Sequence, residues 1–109
     1  MPKKRQPPGS PGDIDERHYL DLRRGILLQR VVRRDTQGRV TRYSLAYIDP
    51  TLCAADNGRV LGYDNHHGYH HRHYMGEVQE MEFQSYEQIE SRFEFEFRAL
   101  YDGRRDRRR

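Results

Sequence analysis

Alternating apolar and polar residues between positions 26 and 84 predict β-strands. The segment ILLQRVVRR (Ile26–Arg34) is rich in branched side chains, which favour a strand. The next run, RVTRYSLAYID (residues 39–49), alternates with a period of two and predicts a strand with one buried face. Two further strands are predicted in RVLGYDN (residues 59–65) and GEVQEMEFQ (residues 76–84). Turn sequences, DTQG and NG, separate the first three runs, so we expect an antiparallel meander.

A helical pattern follows the last predicted strand. Ser85 and Gln88 form a capping-box pattern, which marks a helix N-terminus. Apolar side chains then recur at helical spacing and form one stripe: Tyr86, Ile89, Phe93, Phe97 and Leu100. Phe95 points away from this stripe, and Gly103 is expected to end the helix. The sequence therefore predicts an α+β fold, an antiparallel four-stranded meander sheet with a C-terminal amphipathic helix packed on one face.

The two ends of the chain differ in composition from its centre. Residues 1–12, MPKKRQPPGSPG, are basic and rich in proline, and we expect them to form a flexible arm. Residues 103–109 are expected to form an Arg-rich disordered tail. Between them, residues 13–102 are predicted to be a single α+β domain, with a short helical turn near residues 13–20. The formal net charge of +3 arises from the basic ends, which attract phosphate backbones.

Length and composition narrow the class of protein. A chain of 109 residues fits one domain, and none of its apolar runs is long enough to span a bilayer. No apolar segment follows the basic N-terminus, so a secretory signal is not expected. Cys53 is the only cysteine, which excludes an intrachain disulfide and a cysteine-ligated zinc finger. We therefore expect a cytoplasmic protein without a cofactor or membrane association.

The segment YDNHHGYHHRHYM (residues 63–75) contains five of the six histidines, and the residues alone leave three interpretations open. The histidines could bind zinc or nickel, since His71 and His73 would share one face of a strand; His18 is the only distant histidine. They could instead form a polar loop in which the histidines are hydrogen-bonded or solvated. They could also perform acid–base catalysis, because imidazole titrates near neutral pH.

Cleavage of RNA without a metal requires a base for the 2′-hydroxyl proton, an acid for the leaving 5′-oxygen and a cation for the phosphate charge. The HRH motif of His71, Arg72 and His73 supplies these residue types. In a strand, however, Arg72 would point away from the two histidines. Arg59 or Arg42 from a neighbouring strand could then replace it. Nearby tyrosines could either cover the core or stack on unpaired bases.

Four motifs in order, RYSLAYI, GRVLGYDN, HRHY and SYEQIESRF, resemble the TumE family of toxin–antitoxin proteins over residues 25–100. The most specific part of the resemblance is YDN (residues 63–65), a glycine-containing spacer and then HRH. The resemblance implies a toxin that cleaves RNA and that is partnered by a small helix-turn-helix antitoxin. Histidines within the spacer are expected to matter less: His66, His67 and His70.

The resulting prediction is an RNA-binding, metal-independent endoribonuclease toxin. His71 and His73 would serve as base and acid, Arg72 would stabilise phosphate charge, and Asp64 would orient a histidine. Four residues are expected to contact RNA: Asn65, Tyr63, Tyr74 and Arg59. The alternatives are a non-catalytic interaction protein, for which an exposed Phe95 would mark the partner surface, and a histidine-rich zinc or nickel module. Exposed sheet edges could also support a homodimer.

Overall fold

The computed structural model describes residues 12–107, which form one β-sheet and one long helix. The strands are β1 (Ile14–Asp21), β2 (Ile26–Arg34), β3 (Val40–Ile48), β4 (Arg59–Asp64), β5 (His71–Tyr74) and β6 (Glu77–Glu80). Helix α1 (Tyr86–Arg107) follows the last strand. Short 3₁₀ turns at Asp56–Gly58 and His66–Gly68 precede β4 and β5.

Strand order in the sheet is the same as strand order in the chain, and every neighbouring pair is antiparallel. The predicted α+β meander with a C-terminal helix is therefore confirmed. The predicted number of strands is wrong, because the sheet has six strands and not four.

The first additional strand, β1, occupies the segment for which a short helical turn was expected. It pairs with β2, with Ile14 opposite Val32, and an ion pair of 3.2 Å joins Glu16 to Arg30 of β2. The polar sequence IDERHYLD has no strong local preference for a strand. Pairing with an adjacent strand therefore determines its conformation.

The second additional strand, β5, is the HRHY segment itself. Its four residues pair with β4 on one side and β6 on the other, so it is an interior strand of the sheet. Met75 and Gly76 join β5 to β6 in a tight turn, in which both residues have positive φ (50° and 89°). The strand predicted over residues 76–84 is shortened to Glu77–Glu80.

The hydrophobic core lies between α1 and one face of the sheet. Alternation along β3 and β4 directs five side chains toward the helix, and all are buried: Tyr43, Leu45, Tyr47, Leu61 and Tyr63. Three residues of the predicted helical stripe complete this layer: Tyr86, Ile89 and Phe93. Burial of a side chain of this size contributes about 2 kcal/mol. We call the opposite face of the sheet, which points away from α1, the open face.

The N-terminus of α1 agrees with the capping pattern in the sequence. The Ser85 hydroxyl accepts a hydrogen bond from the Gln88 backbone N–H at 3.1 Å, which satisfies one of the unpaired donors of the first turn. Phe95 is 76% exposed and points away from the core, as the spacing indicated.

The C-terminus of α1 lies beyond the predicted end. The helix passes through Gly103 to Arg107, so Gly103 does not end it. Arg104 is buried, and its Nε lies 2.6 Å from Oδ2 of the fully buried Asp49. The helix thus includes residues 103–107, which were expected to belong to a disordered tail, and the ion pair joins Arg104 of this segment to Asp49. Residues 108–109 and the predicted N-terminal arm up to residue 11 lie outside the described residues. Within residues 12–107, no helix is long and apolar enough to cross a membrane.

Candidate active site on the open face of the sheet

The pairing of β4 with β5 brings three candidate residues together. Asp64 lies directly opposite His71, and Gly62 lies opposite His73. Because side chains alternate along a strand, Asp64, His71 and His73 all point to the open face. The ring centroids of the two histidines are 6.2 Å apart. Two imidazoles therefore converge beside one carboxylate.

Both ring nitrogens of His73 have a partner. Nε2 lies 2.8 Å from Oδ2 of Asp64, and Nδ1 lies 3.0 Å from Nη2 of Arg59. A guanidinium group only donates hydrogen bonds, so Nδ1 of His73 must be the acceptor. The ring proton is then on Nε2 and is donated to Asp64. His73 is therefore a neutral imidazole held between an anion and a cation.

Asp64 is the most buried group of the site, with a side chain that is 5% exposed. Besides the bond from His73, its Oδ1 accepts the backbone N–H of His66 at 3.1 Å. Arg59 Nη1 lies 3.7 Å from Oδ2, and His71 Nδ1 lies 3.8 Å from Oδ1. A buried carboxylate requires such donors and positive charge nearby. Asp64 is thus placed to stabilise positive charge on either imidazole.

His71 is less constrained than His73. Its side chain is 21% exposed, and its Nδ1 is too far from Asp64 for a hydrogen bond. Among residues 12–107, no other group forms a hydrogen bond with the His71 ring. The exposed Tyr69 lies beside it, with ring centroids 6.0 Å apart. His71 can therefore accept a proton from a bound molecule without first breaking a protein contact.

Arg59 brings positive charge to the site from the first position of β4. Its Nε donates to Oδ2 of Asp56 at 2.8 Å, and its side chain is 23% exposed. Asp56 and Asn57 both have positive φ (54° and 56°), a conformation that costs energy for residues with a Cβ. This turn places Asp56 Oδ2 3.8 Å from His73 Nδ1. Sequence reasoning missed Asp56, because its Asp-Asn-Gly context indicates only a turn.

Arg72 does not reach the two histidines. It points to the helix side of the sheet, where Nη2 donates to Glu96 at 3.1 Å and Nε donates to the Tyr63 hydroxyl at 3.1 Å. Burial lowers the pKa of Arg72, but the hydrogen bonds to Glu96 and Tyr63 outweigh it, so the pKa is raised overall. Strand alternation therefore places Arg72 in the helix interface instead of the predicted phosphate-binding position. Arg59, the alternative from a neighbouring strand, lies at the site instead.

Three residues predicted to contact RNA have partners within the protein. Tyr63 is fully buried, and burial together with its hydrogen bond to Glu96 raises its pKa to about 12. Tyr74 lies on the helix side of the sheet, where the Arg72 guanidinium is 5.0 Å from its ring centroid. The Asn65 amide forms bonds of 3.0 and 3.1 Å with backbone groups of β3. Direct contact of Tyr63 with RNA is excluded by this burial.

The chain matches a known protein family over most of its length. A family model described as Toxin TumE matches residues 8–100, which include the whole sheet, most of α1 and every residue of the site. The chain belongs to the TumE family. A TumE protein is the toxin of a toxin–antitoxin system, so family membership implies an antitoxin partner. No curated protein and no solved structure matches the chain.

The spacer histidines of this TumE chain lie at the edge of the site or away from it. His66 is half exposed, with Nδ1 3.9 Å from Asp64. His70 stacks on Phe83 with ring centroids 4.0 Å apart, its Nδ1 lies 2.9 Å from the Tyr43 hydroxyl, and burial lowers its pKa. His67 is exposed in a turn, with a positive φ of 63°.

The arrangement of possible metal ligands bears on the zinc or nickel interpretation. Within residues 12–107, no group of three or more His, Cys, Asp or Glu side chains is arranged to hold a metal ion. The distant histidine, His18, lies on β1, which is separated from β5 by three strands. The zinc or nickel interpretation therefore has no donor set in this part of the chain.

Proposed function

We propose that this TumE-family toxin cleaves RNA at the open face of its sheet. The observation that carries the proposal is one group of side chains: a hydrogen-bonded Asp64–His73 pair, a second imidazole at His71, and the Arg59 guanidinium in contact with His73. These groups supply the base, the acid and the cation that attack by a 2′-hydroxyl requires.

Arg59 is the group through which a phosphate would bind. Its guanidinium is partly exposed and lies near His73 and the carboxylates of Asp56 and Asp64. A phosphodiester offers this planar fork two oxygen acceptors at once, which makes it a strong partner for arginine. When the guanidinium turns toward phosphate, Nδ1 of His73 loses its donor. It can then take up a proton from water.

His71 is the base and His73 the acid in this proposal. The free Nε2 of His71 takes the proton of the 2′-hydroxyl, the 2′-oxygen forms a bond to phosphorus, and the bond from phosphorus to the 5′-oxygen breaks. Protonated Nδ1 of His73 gives its proton to that 5′-oxygen. Asp64 stabilises the His73 imidazolium through Nε2 until the proton leaves. The products are a 2′,3′-cyclic phosphate and a 5′-hydroxyl, and exchange with water restores both imidazoles.

Two exposed residues extend the site into an RNA-binding surface. Tyr69 is 56% exposed beside His71, so a base adjacent to the cleaved bond would stack on its ring. Arg42 is exposed on the open face of β3, two residues before Ser44, which pairs with Asp64. It would contact a neighbouring phosphate. Tyr69 thus takes the stacking role that was considered for the tyrosines of this segment, and Arg42 adds a second cation from a neighbouring strand.

The proposal includes the cellular partners that the family resemblance implies. The toxin would act in the cytoplasm, where RNA is accessible, and a small helix-turn-helix antitoxin would hold it inactive. A homodimer would form through an edge strand, β1 or β6. Co-expression of the chain with any helix-turn-helix protein encoded by an adjacent gene, followed by co-purification and measurement of the mass of the complex, tests both assemblies.

Expression in cells tests the catalytic proposal. The parent chain, His71→Ala and the control His67→Ala are induced to equal protein levels, and growth and total RNA are followed. The parent and His67→Ala should stop growth and degrade RNA, whereas His71→Ala should be harmless, because loss of a general base lowers the rate by about 100-fold or more. If His71→Ala is as harmful as the parent, the acid–base mechanism is wrong. If the parent itself degrades no RNA, the non-catalytic interaction protein is the better description.

A purified reaction tests the chemistry directly. An RNA oligonucleotide is compared with the same strand carrying one 2′-deoxy sugar at the cleavage position, in the presence of a chelator. Cleavage should require the 2′-hydroxyl, continue with the chelator and leave a 2′,3′-cyclic phosphate. Cleavage of the 2′-deoxy strand at an equal rate would contradict the mechanism, and loss of cleavage with the chelator would favour metal chemistry.

A further inference from the structure

Gly62 is an unexpected residue in the interior of β4, because glycine weakens strands. Its φ does not lie in the left-handed region, so conformational freedom does not explain its presence. A Cβ at this position would lie 2.8 Å from Cδ of Arg59 and 3.3 Å from the Leu45 carbonyl oxygen. The missing side chain leaves the space through which the Arg59 side chain crosses the strand.

The path of Arg59 over Gly62 determines which groups its guanidinium reaches. His73 lies directly opposite Gly62 in the β4–β5 register. A side chain that crosses the strand at Gly62 therefore arrives at the His73 ring, where Nη2 lies 3.0 Å from Nδ1. Asp56 holds the near side of the guanidinium through Nε, and Asp64 lies 3.7 Å from Nη1 on the far side.

We infer that Gly62 is a positioning residue of the active site, which lays Arg59 against Nδ1 of His73. In this contact Nδ1 accepts a hydrogen bond from the guanidinium, because a guanidinium can only donate. The release of Nδ1 by phosphate rests on the proposed function. The placement of Arg59 by Gly62 does not depend on the proposed function, and it can be measured without RNA.

Nuclear magnetic resonance of ¹⁵N-labelled histidine tests the placement. Wild type, Gly62→Ala, Arg59→Ala and the double variant are compared at one pH well above the ordinary histidine pKa of about 6.5. In wild type, Nδ1 of His73 should resonate as a hydrogen-bonded acceptor. In Gly62→Ala and Arg59→Ala it should move to the position of an unbonded acceptor, by the same amount, and the double variant should add nothing. Gly103→Ala is the control, because a Cβ there meets no atom within 4 Å.

Urea unfolding separates an effect on Arg59 from general damage to the strand. The fall in midpoint that Gly62→Ala causes should disappear in the Arg59→Ala background, where the conflicting side chain is gone. An equal fall in both backgrounds would assign the conflict to the Leu45 carbonyl and would overturn the inference. If Gly62→Ala alone does not fold, folding of the double variant supports the inference and its failure to fold overturns it. An unchanged Nδ1 resonance in Gly62→Ala also overturns it.

Cleavage rates connect the placement to the proposed function. Gly62→Ala and Arg59→Ala should each lower the rate by about 10- to 100-fold, and the double variant should be no slower than either. Additive losses would show that the two residues act separately. If the chain cleaves no RNA, the resonance and unfolding comparisons still give an answer, so failure of the proposed function and failure of this inference are distinguishable.

Discussion

Replacing Arg104 by methionine should destabilise the protein more than any comparable change on the exposed side of α1. The Arg104 side chain is 6% exposed, and its Nε lies 2.6 Å from a carboxylate, Asp49, that is fully buried. The same carboxylate accepts hydrogen bonds from the Tyr47 hydroxyl at 2.9 Å and from the Thr51 backbone at 3.0 Å and hydroxyl at 2.5 Å. Methionine fills part of the arginine volume but removes the guanidinium group that pairs with Asp49.

The structure sets the size of the expected effect. Removing one partner of a buried ion pair costs about 3–5 kcal/mol, because the other charge remains buried without compensation. Since three hydrogen bonds to Asp49 remain, we expect a loss at the lower end, about 3 kcal/mol. With a urea dependence of about 1.5 kcal/mol per molar, the unfolding midpoint should fall by about 2 M. The double variant Asp49→Asn/Arg104→Met should recover part of this loss, because no buried charge is left.

Far-UV circular dichroism in urea is a suitable assay, since the chain has no tryptophan. Arg98→Met is the matched control, because Arg98 is exposed on the same helix and its replacement should change stability by less than about 0.5 kcal/mol. Equal midpoints for Arg98→Met and Arg104→Met would show that the ion pair contributes nothing. The continuation of α1 beyond Gly103 would then need another cause.

Two further predictions concern the helix and the buried tyrosines. Gly103→Ala should raise the free energy of unfolding by about 1 kcal/mol, because Gly103 lies inside α1 and a Cβ there has open space; a lower urea midpoint would contradict a continuous helix. At alkaline pH the protein should lose stability, because burial raises the pKa of four core tyrosines, and that of Tyr63 and Tyr86 to about 12. Their contribution is complete below the ordinary tyrosine pKa of about 10 and is lost as pH rises through about 12, so urea midpoints that stay constant over that interval would refute it.

The parts of the fold that sequence predicted are those whose pattern is local. Alternation in β3 and the apolar stripe of α1 depend on residues within each element, and both predictions agree with the structure. The polar segments β1 and β5 have no such signal, and each becomes a strand only through pairing with a neighbour. The end of α1 was predicted from Gly103 alone. A buried partner, Asp49, lies 55 positions before Arg104, and no local pattern reveals that contact.

The candidate site was predictable in its residue types but not in its contacts. Alternation along HRHY indicated that His71 and His73 share a face and that Arg72 does not, and the structure has this arrangement. The same rule placed Tyr63 beside Leu61 on the helix side, so its assignment to RNA contact conflicted with the pattern. The hydrogen-bond partner of Nδ1 of His73 depends on the path of the Arg59 side chain. That path follows from the missing Cβ of Gly62 and from the strand register, and a single sequence does not report the register.

The five polar side chains that form the site, Asp56, Arg59, Asp64, His71 and His73, come from one contiguous hairpin. The length of the loop that joins β4 to β5 therefore determines which side chains of β5 point to the open face. A shift of the strand pairing by one position would turn both imidazoles under the helix and bring the HRH arginine outward. A shift of two positions would return both imidazoles to the open face but would move them along the strand relative to Asp64. We therefore expect length changes in residues 65–70 to alter cleavage activity according to whether an odd or an even number of residues is added or removed.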